Sequence, residues 1–171
     1  MQIFKYSKFV FIIILLMALN YSCSKDSNNP ADPNNIVTSE AKLTLNGAGY
    51  TNKSVTLSNG VCSYSPGDTL TAAIFSGKVD SDSLYFYVIF KGNQTGTFNW
   101  NTENGVLIYK SSSGGFVSYI GVTQGTTTIS AYGSVTGKVE GSVNGKLIES
   151  GSLAELNVTG TFSATRVPDS N

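Results

Sequence analysis

Between Ala41 and Val167 no apolar run lasts long enough, or repeats at the right interval, to make a helix. Short apolar stretches are broken every few residues by Gly, Asn, Ser or Asp. Nowhere do apolar residues recur at i, i+3, i+4 and i+7, the signature of an amphipathic helix. Thr, Val, Tyr and Phe are abundant instead, and these fit a pleated, half-buried surface. The pattern predicts strands over 41–46, 50–57, 61–64, 69–77, 83–91, 96–101, 105–111, 116–122, 127–135, 137–149 (broken near Asn144-Gly145) and 154–166. Turn chemistry falls between them, at Gly47-Ala48-Gly49, Asn59-Gly60, Ser65-Pro66-Gly67-Asp68, Asp80-Ser81-Asp82, Gly92-Asn93, Asn104-Gly105 and Ser113-Gly114-Gly115. Asn-Gly suits the left-handed positions of tight hairpins. Short strands at this spacing make an all-β fold, an antiparallel β-sandwich or β-barrel of about 8–11 strands.

Alternation assigns faces. In 154–166, Leu156, Val158, Phe162 and Ala164 lie on one side, with Asn157, Thr159, Thr161, Ser163 and Thr165 on the other. That is a strand with a wet outer face. In 83–91, Leu84, Phe86, Val88 and Phe90 share one side, but Tyr85, Tyr87 and Ile89 make the second side apolar too. This strand is expected to be central and covered on both faces. Thr95-Gly96-Thr97-Phe98 recurs as Thr159-Gly160-Thr161-Phe162, an echo explained by repeated strand chemistry without duplication.

The chain opens MQIFKYSKFVFIIILLMALNYSCSKD. Lys5 and Lys8 precede an eleven-residue apolar run, Phe9–Leu19, and Ser22 stands before Cys23. A basic flank, a short apolar core and a small residue at the cut are the parts of a secretory signal. A membrane-spanning helix needs about 20 apolar residues, so the run is too short for one. The cysteine after the cut resembles that of Bacteroidetes-type lipoproteins, whose mature chains often begin as Cys23-Ser24-Lys25-Asp26 does here. The resemblance implies lipidation of Cys23 (palmitate among the acyl chains), a membrane partner reached through the anchor, and a place in the cell envelope at the outer membrane. It leaves open the cell surface or the periplasmic side. Residues 1–22 are then a signal peptide. Residues 23–40, with Pro30, Pro33 and four asparagines in 24–40, form a polar tether that can bury no core. Residues 41–171 form one domain. Its C-terminal third resembles the closing strands of lipoproteins of that type: Val139-Glu140-Gly141-Ser142-Val143, then Val158-Thr159-Gly160-Thr161-Phe162-Ser163-Ala164-Thr165-Arg166-Val167. Leu45-Asn46-Gly47-Ala48-Gly49-Tyr50 is similar to their opening hairpin. The resemblance implies an all-β envelope domain and no activity.

Composition removes several functions. Without residues 1–22 the chain has 149 residues, with 9 Lys+Arg against 11 Asp+Glu once Lys5 and Lys8 are gone. Nucleic-acid binding requires clustered cations to displace counterions, and none cluster here. There is no histidine, which excludes histidine-based triads and most zinc sites. Cys62, left alone once Cys23 is lipidated, reads as a small buried hydrophobe in Val61-Cys62-Ser63-Tyr64.

Few residues invite chemistry. Asp80 and Asp82 lack the further oxygen ligands of a calcium loop and read as a solvated turn. Glu103, Glu140, Glu149 and Glu155 sit among polar residues, and nothing pairs two of them across a cleft as glycoside hydrolysis requires. Asp68-Thr69-Leu70 and Asp82-Ser83-Leu84 resemble the O-glycosylation sites of exported Bacteroidetes-type proteins, which marks Thr69 and Ser83. Tyr50, Tyr64, Tyr85, Tyr87, Tyr109, Tyr119, Tyr132 and Trp100 suit a ligand-lining surface but also suit strand cores. Phe98 and Trp100 are the pair expected at a pocket mouth. No catalytic residue, metal ligand or cofactor is assigned. The expectation is a non-enzymatic binding module for a glycan, a hydrophobic small molecule or a peptide. The alternative is a structural or accessory envelope protein docking to a membrane partner. A concave aromatic patch or an open interior would mark the first. An exposed apolar patch would mark the second.

Overall fold

The alternation read from the last strand separates cleanly in three dimensions. Leu156, Val158, Phe162 and Ala164 point inward, none more than 4 % exposed, while Asn157, Thr159 and Thr161 face water. The computed structural model describes residues 38–170. Its strands are β1 Glu40–Gly47, β2 Tyr50–Ser65, β3 Leu70–Val79, β4 Asp82–Lys91, β5 Gly96–Asn99, β6 Gly105–Ser112, β7 Gly115–Tyr132, β8 Lys138–Glu149 and β9 Glu155–Arg166.

They form one sheet in the order β7-β6-β4-β3-β2-β1-β9-β8, and β8 pairs back onto β7. The result is a closed antiparallel barrel of eight strands, which settles the choice between sandwich and barrel. Closure leaves no long free edge, the liability of open sheets. The short β5 is the ninth strand. The upper half of β7, Gly115–Gly121, pairs with β6, and Thr126–Ile129 pairs with β5 instead. So β5 continues the wall beside β7 below the point where β6 begins.

Two expected turns are not turns. Asn59-Gly60 lies inside the continuous β2, where the β2–β3 register shifts between Ser58 and Val61. This is a β-bulge: Asn59 takes φ 55°, and a Cβ on Gly60 would stand 2.3 Å from Phe75 Cε1. The bulge carries β2 past the start of β1 to meet β9 directly, in a short parallel contact at Val61–Thr165 and Cys62–Arg166. Asn144-Gly145 likewise does not break β8, which runs unbroken to Glu149. The expected strands 116–122 and 127–135 are one long β7, with 133–135 outside it.

The start of the domain also differs from expectation. Residues 38–40 belong to the barrel and not to the tether. Glu40 opens β1, Ser39 Oγ lies 2.6 Å from Thr165 Oγ1, and the Gly60 amide donates to the Ser39 carbonyl. The signal peptide, Cys23 and the rest of the tether lie outside the described residues. Among the described residues no helix is long and apolar enough to cross a membrane.

Candidate functional site

An eight-stranded barrel has an interior just wide enough to be filled by side chains or to hold one small ligand. Here side chains fill it. Leu45, Leu57, Phe75, Leu84, Phe86, Val88, Phe90 and Ile108 are fully buried in one cluster. Phe75 meets Phe86 at 5.8 Å and Phe162 at 5.9 Å between ring centroids, the second pair edge-on. Each such aromatic, moved out of water, contributes about 1.5–3 kcal/mol.

Trp100 is part of this filling. It is 4 % exposed, and its indole Nε1 donates to Thr127 Oγ1 at 2.9 Å. Its six-membered ring meets three glycines around Cζ3. A Cβ on Gly121, Gly125 or Gly145 would come within 2.4–2.6 Å of the Trp100 ring. The Gly145 that reads as a strand break is therefore the floor under a tryptophan. Phe98, half-buried, packs on Phe90 with ring centroids 5.0 Å apart and the rings tilted by 40°. The pair expected at a pocket mouth closes the barrel wall instead.

Each end of the barrel is tied by polar contacts. At the end where β9 finishes, the Arg166 guanidinium lies over the Tyr132 ring at 5.3 Å and pairs with Asp169. Tyr132 Oη and Thr71 Oγ1 share a hydrogen bond of 3.0 Å. Cys62 lies in this region, 1 % exposed, and burial pushes its thiol up to about 12, Arg166 opposing the shift and Asp169 adding to it. A thiol held protonated is not a nucleophile. At the opposite end, Lys110 sits over the Tyr50 ring at 5.9 Å and 3.8 Å from Asp82. Tyr119 nearby is pushed up to about 12 by burial, then by Glu149 and Tyr50.

The outer surface of the barrel has two unlike halves. On β1 and β9 it is polar: Lys42, Thr44, Asn46, Asn157, Thr159 and Thr161. On the other half an apolar row crosses six strands in register. Val61 on β2 faces Ile74 on β3, Ile74 faces Tyr87, Tyr87 faces Leu107, Leu107 faces Ile120, and Ile120 faces Ile148 on β8. Parity puts all six on the side opposite the core, since Ala73, Phe86, Ile108 and Tyr119 point inward from the same strands. The flanking rows add Ala72 and Ile89 on one side, Tyr85 and Tyr109 on the other, the last two directly opposed. Tyr87, Ile89, Leu107 and Ala72 are buried, Ile74, Tyr109, Ile120 and Ile148 half-buried, and Tyr85 and Val61 exposed. Every described strand belongs to the one sheet, and β4 is buried on both faces from Phe86 to Phe90, as its two-sided apolarity predicts.

The remaining predicted residues fall elsewhere. Thr69 stands exposed in the β2–β3 turn at φ 56°, its carbonyl accepting from the Gly92 amide. Ser83 is inside the ladder of β4, paired with Lys78 and Ser111 on its two sides. Asp80 and Asp82 are engaged by Lys53 at 2.7 Å and Lys110 at 3.8 Å. Of the listed aromatics, Tyr85, Tyr87 and Tyr109 come together on the apolar outer face, while Tyr50, Tyr119 and Tyr132 pack at the barrel ends. Sequence reading missed Ile74, Leu107, Ile120 and Ile148, and also Phe116 and Leu153, 77 % and 73 % exposed. The signal was present in 105–111, where Val106-Leu107-Ile108-Tyr109 is apolar on both faces just as 83–91 is. No protein-family model, curated protein or solved structure matches the chain.

Proposed function

We propose that the protein is a lipid-anchored, non-enzymatic component of the cell envelope that works by docking, through the apolar half of its barrel, at the membrane to which Cys23 ties it. The observation that carries this reading is the row Val61–Ile74–Tyr87–Leu107–Ile120–Ile148 on the outer side of a barrel whose interior is occupied by its own side chains. Of this face Val61 and Tyr85 stand open at its rim, Ile74, Tyr109, Ile120 and Ile148 are half-buried, and Tyr87, Ile89 and Leu107 are buried at its centre. An apolar outer side is what a docking element needs and an interior-binding carrier does not. The Cys23 anchor supports it further: acyl chains contribute about 0.8 kcal/mol for each buried CH₂, and two or more hold a protein stably. A tethered face then meets its partner as an intramolecular event, at high effective concentration.

Hydroxyl-radical footprinting of Tyr85 and Tyr109, in native envelopes and after enzymatic release of the domain, tests the proposal. Both tyrosines should be protected in the envelope and modified after release, with protection lost in Cys23→Ala. Equal modification in both states would sink it. Protease access on intact cells, run beside it, assigns the domain to the cell surface or the periplasmic side.

A further inference from the structure

One end of the barrel carries four hairpins, and two neighbouring ones differ from the rest. The β6–β7 tip, residues 111–118, reads Ser-Ser-Ser-Gly-Gly-Phe-Val-Ser, and the β8–β9 tip, residues 150–154, reads Ser-Gly-Ser-Leu-Ala. Neither contains a charge. Each presents one large apolar side chain to water, Phe116 at 77 % exposure and Leu153 at 73 %. The tips are adjacent, since the Ser150 amide donates to the Ser118 carbonyl at 2.8 Å. The other two hairpins at this end contrast with them. Asp80 and Asp82 of the β3–β4 hairpin are engaged by Lys53 and Lys110, and the β1–β2 turn holds only the small Ala48 and Gly49.

Leu153 is not a passive passenger of its turn. It is held at φ 62°, a left-handed conformation that a glycine or asparagine takes far more readily than a leucine. The turn is pinned by the Glu149 amide to the Ala154 carbonyl and the Leu153 amide to the Glu149 carbonyl. The sequence thus accepts backbone strain to hold a leucine outward.

We propose that these two tips dip into the lipid bilayer that holds the anchor, with Phe116 and Leu153 as the inserting side chains. The inference rests on lipidation of Cys23, as proposed above, and names the bilayer as what the exposed end of the apolar half meets. The chain between Cys23 and Thr38 is long enough for that choice. Its fourteen residues reach about 50 Å when extended, at roughly 3.3–3.6 Å per residue. The described domain begins beside Thr165, near the far end of β9. A twelve-residue strand is about 40 Å long at roughly 3.3 Å per residue, within the reach of those fourteen residues. With no Lys or Arg in either tip, contact relies on apolar insertion and not on anionic headgroups. Glu155 beside the β8–β9 tip pairs with Lys146 at 2.9 Å, while Glu149 at its foot lies against Tyr119.

The acylated full chain, its anchor verified by intact mass, is reconstituted in zwitterionic phosphatidylcholine vesicles. An environment-sensitive fluorophore is attached at Ser113→Cys or Ser152→Cys, with Thr159→Cys on the polar face as control. Buried Cys62 and acylated Cys23 do not compete for the label. A lipid-phase quencher should act several-fold more strongly at 113 and 152 than at 159, at low and high salt alike. Phe116→Ser with Leu153→Ser should return both sites to the control level. Equal quenching at all three sites, or quenching that survives the double substitution, overturns the insertion. If the tips are shielded in native envelopes but open on pure lipid vesicles, a protein covers them; the insertion then fails and the docking reading stands. Tips open to water in both settings, with unprotected Tyr85 and Tyr109, defeat both.

Discussion

At the scale of single residues, Trp100 shows how much of this chain's glycine content serves one side chain. Its ring needs bare backbone where Cζ3 meets β7 and β8, and Gly121, Gly125 and Gly145 supply it. Gly145→Ala would drive a methyl to 2.5 Å from both Trp100 and the Gln124 carbonyl. Overpacking of this sort costs about 1–3 kcal/mol, read as a lower urea midpoint with an unchanged slope. Trp100→Ala should cost more, about 3–5 kcal/mol, and Thr127→Val about 1–3 kcal/mol for the orphaned indole N–H. Cys62 and Tyr119 contribute most plainly to the alkaline limit, beside Tyr50, Tyr87 and Tyr132, whose hydroxyls burial also raises. Both are acids that are neutral when protonated, and both are raised in the folded state, to about 12, from ordinary values of 9.0 and 10.0. The unfolded chain therefore gives up these protons first. Their contribution is fully present below about pH 9 and is lost as pH rises from there through about 12. Unfolding midpoints should hold steady near neutrality and fall above pH 9, and Cys62→Ala should flatten the first part of that fall. A midpoint that does not change between pH 8 and 10.5 would contradict this assignment.

At the scale of elements, the bulge at Asn59-Gly60 decides how the barrel closes. It moves β2 off β1 and onto β9, and Gly60 is required because Phe75 occupies the space of its Cβ. Gly60→Ala should destabilise by about 1–3 kcal/mol, and Phe75→Leu in the same chain should restore part of the loss by making room. Two additive penalties would show that the clash is not the cause. The sequence could not reveal this, because Asn-Gly serves a hairpin and a bulge equally well and only the partner strand distinguishes them. The all-β class, the inward side of β9 and the two-sided apolarity of β4 were legible, since each follows from period-two alternation. Closure into a barrel was not, because it depends on β7 meeting β8 and β1 meeting β9, and pairing register is written in no single strand. The candidate face was half legible. Tyr85, Tyr87 and Ile89 marked β4 as apolar on both sides, but Ile74, Leu107, Ile120 and Ile148 join them only through cross-strand register. The same reasoning separates the two glycosylation-like sites. Thr69 is exposed in a turn, whereas Ser83 is paired on both sides. Intact-mass analysis of native protein should show any sugar on Thr69 alone, removed by Thr69→Ala and unaffected by Ser83→Ala.

At the scale of the whole molecule, the barrel is amphipathic across its width, with its polar side on β1 and β9 and its apolar side on β3, β4, β6 and β7. Among the described residues the closed sheet leaves only the short β5 with a free side, so the apolar face is what remains to drive association once the domain is cut from its anchor. Enzymatically released domain should therefore self-associate as concentration rises, and Ile120→Thr with Ile148→Thr should shift that association to higher concentration. The two residues face each other across β7 and β8 on the outer side, half-buried and outside the core cluster. Loss of their outward methyl groups removes little packing from the interior, and threonine keeps the β-branched shape that strands favour. The far-ultraviolet spectrum should stay unchanged and the urea midpoint should move little, while sedimentation velocity reports more monomer at matched concentration. A matching pair of substitutions on the polar side, Thr159→Val and Thr161→Val, is the converse control: its association should rise or hold, never fall. If the threonine pair unfolds the barrel instead, the outer face is structural, and the docking role assigned to it loses its footing.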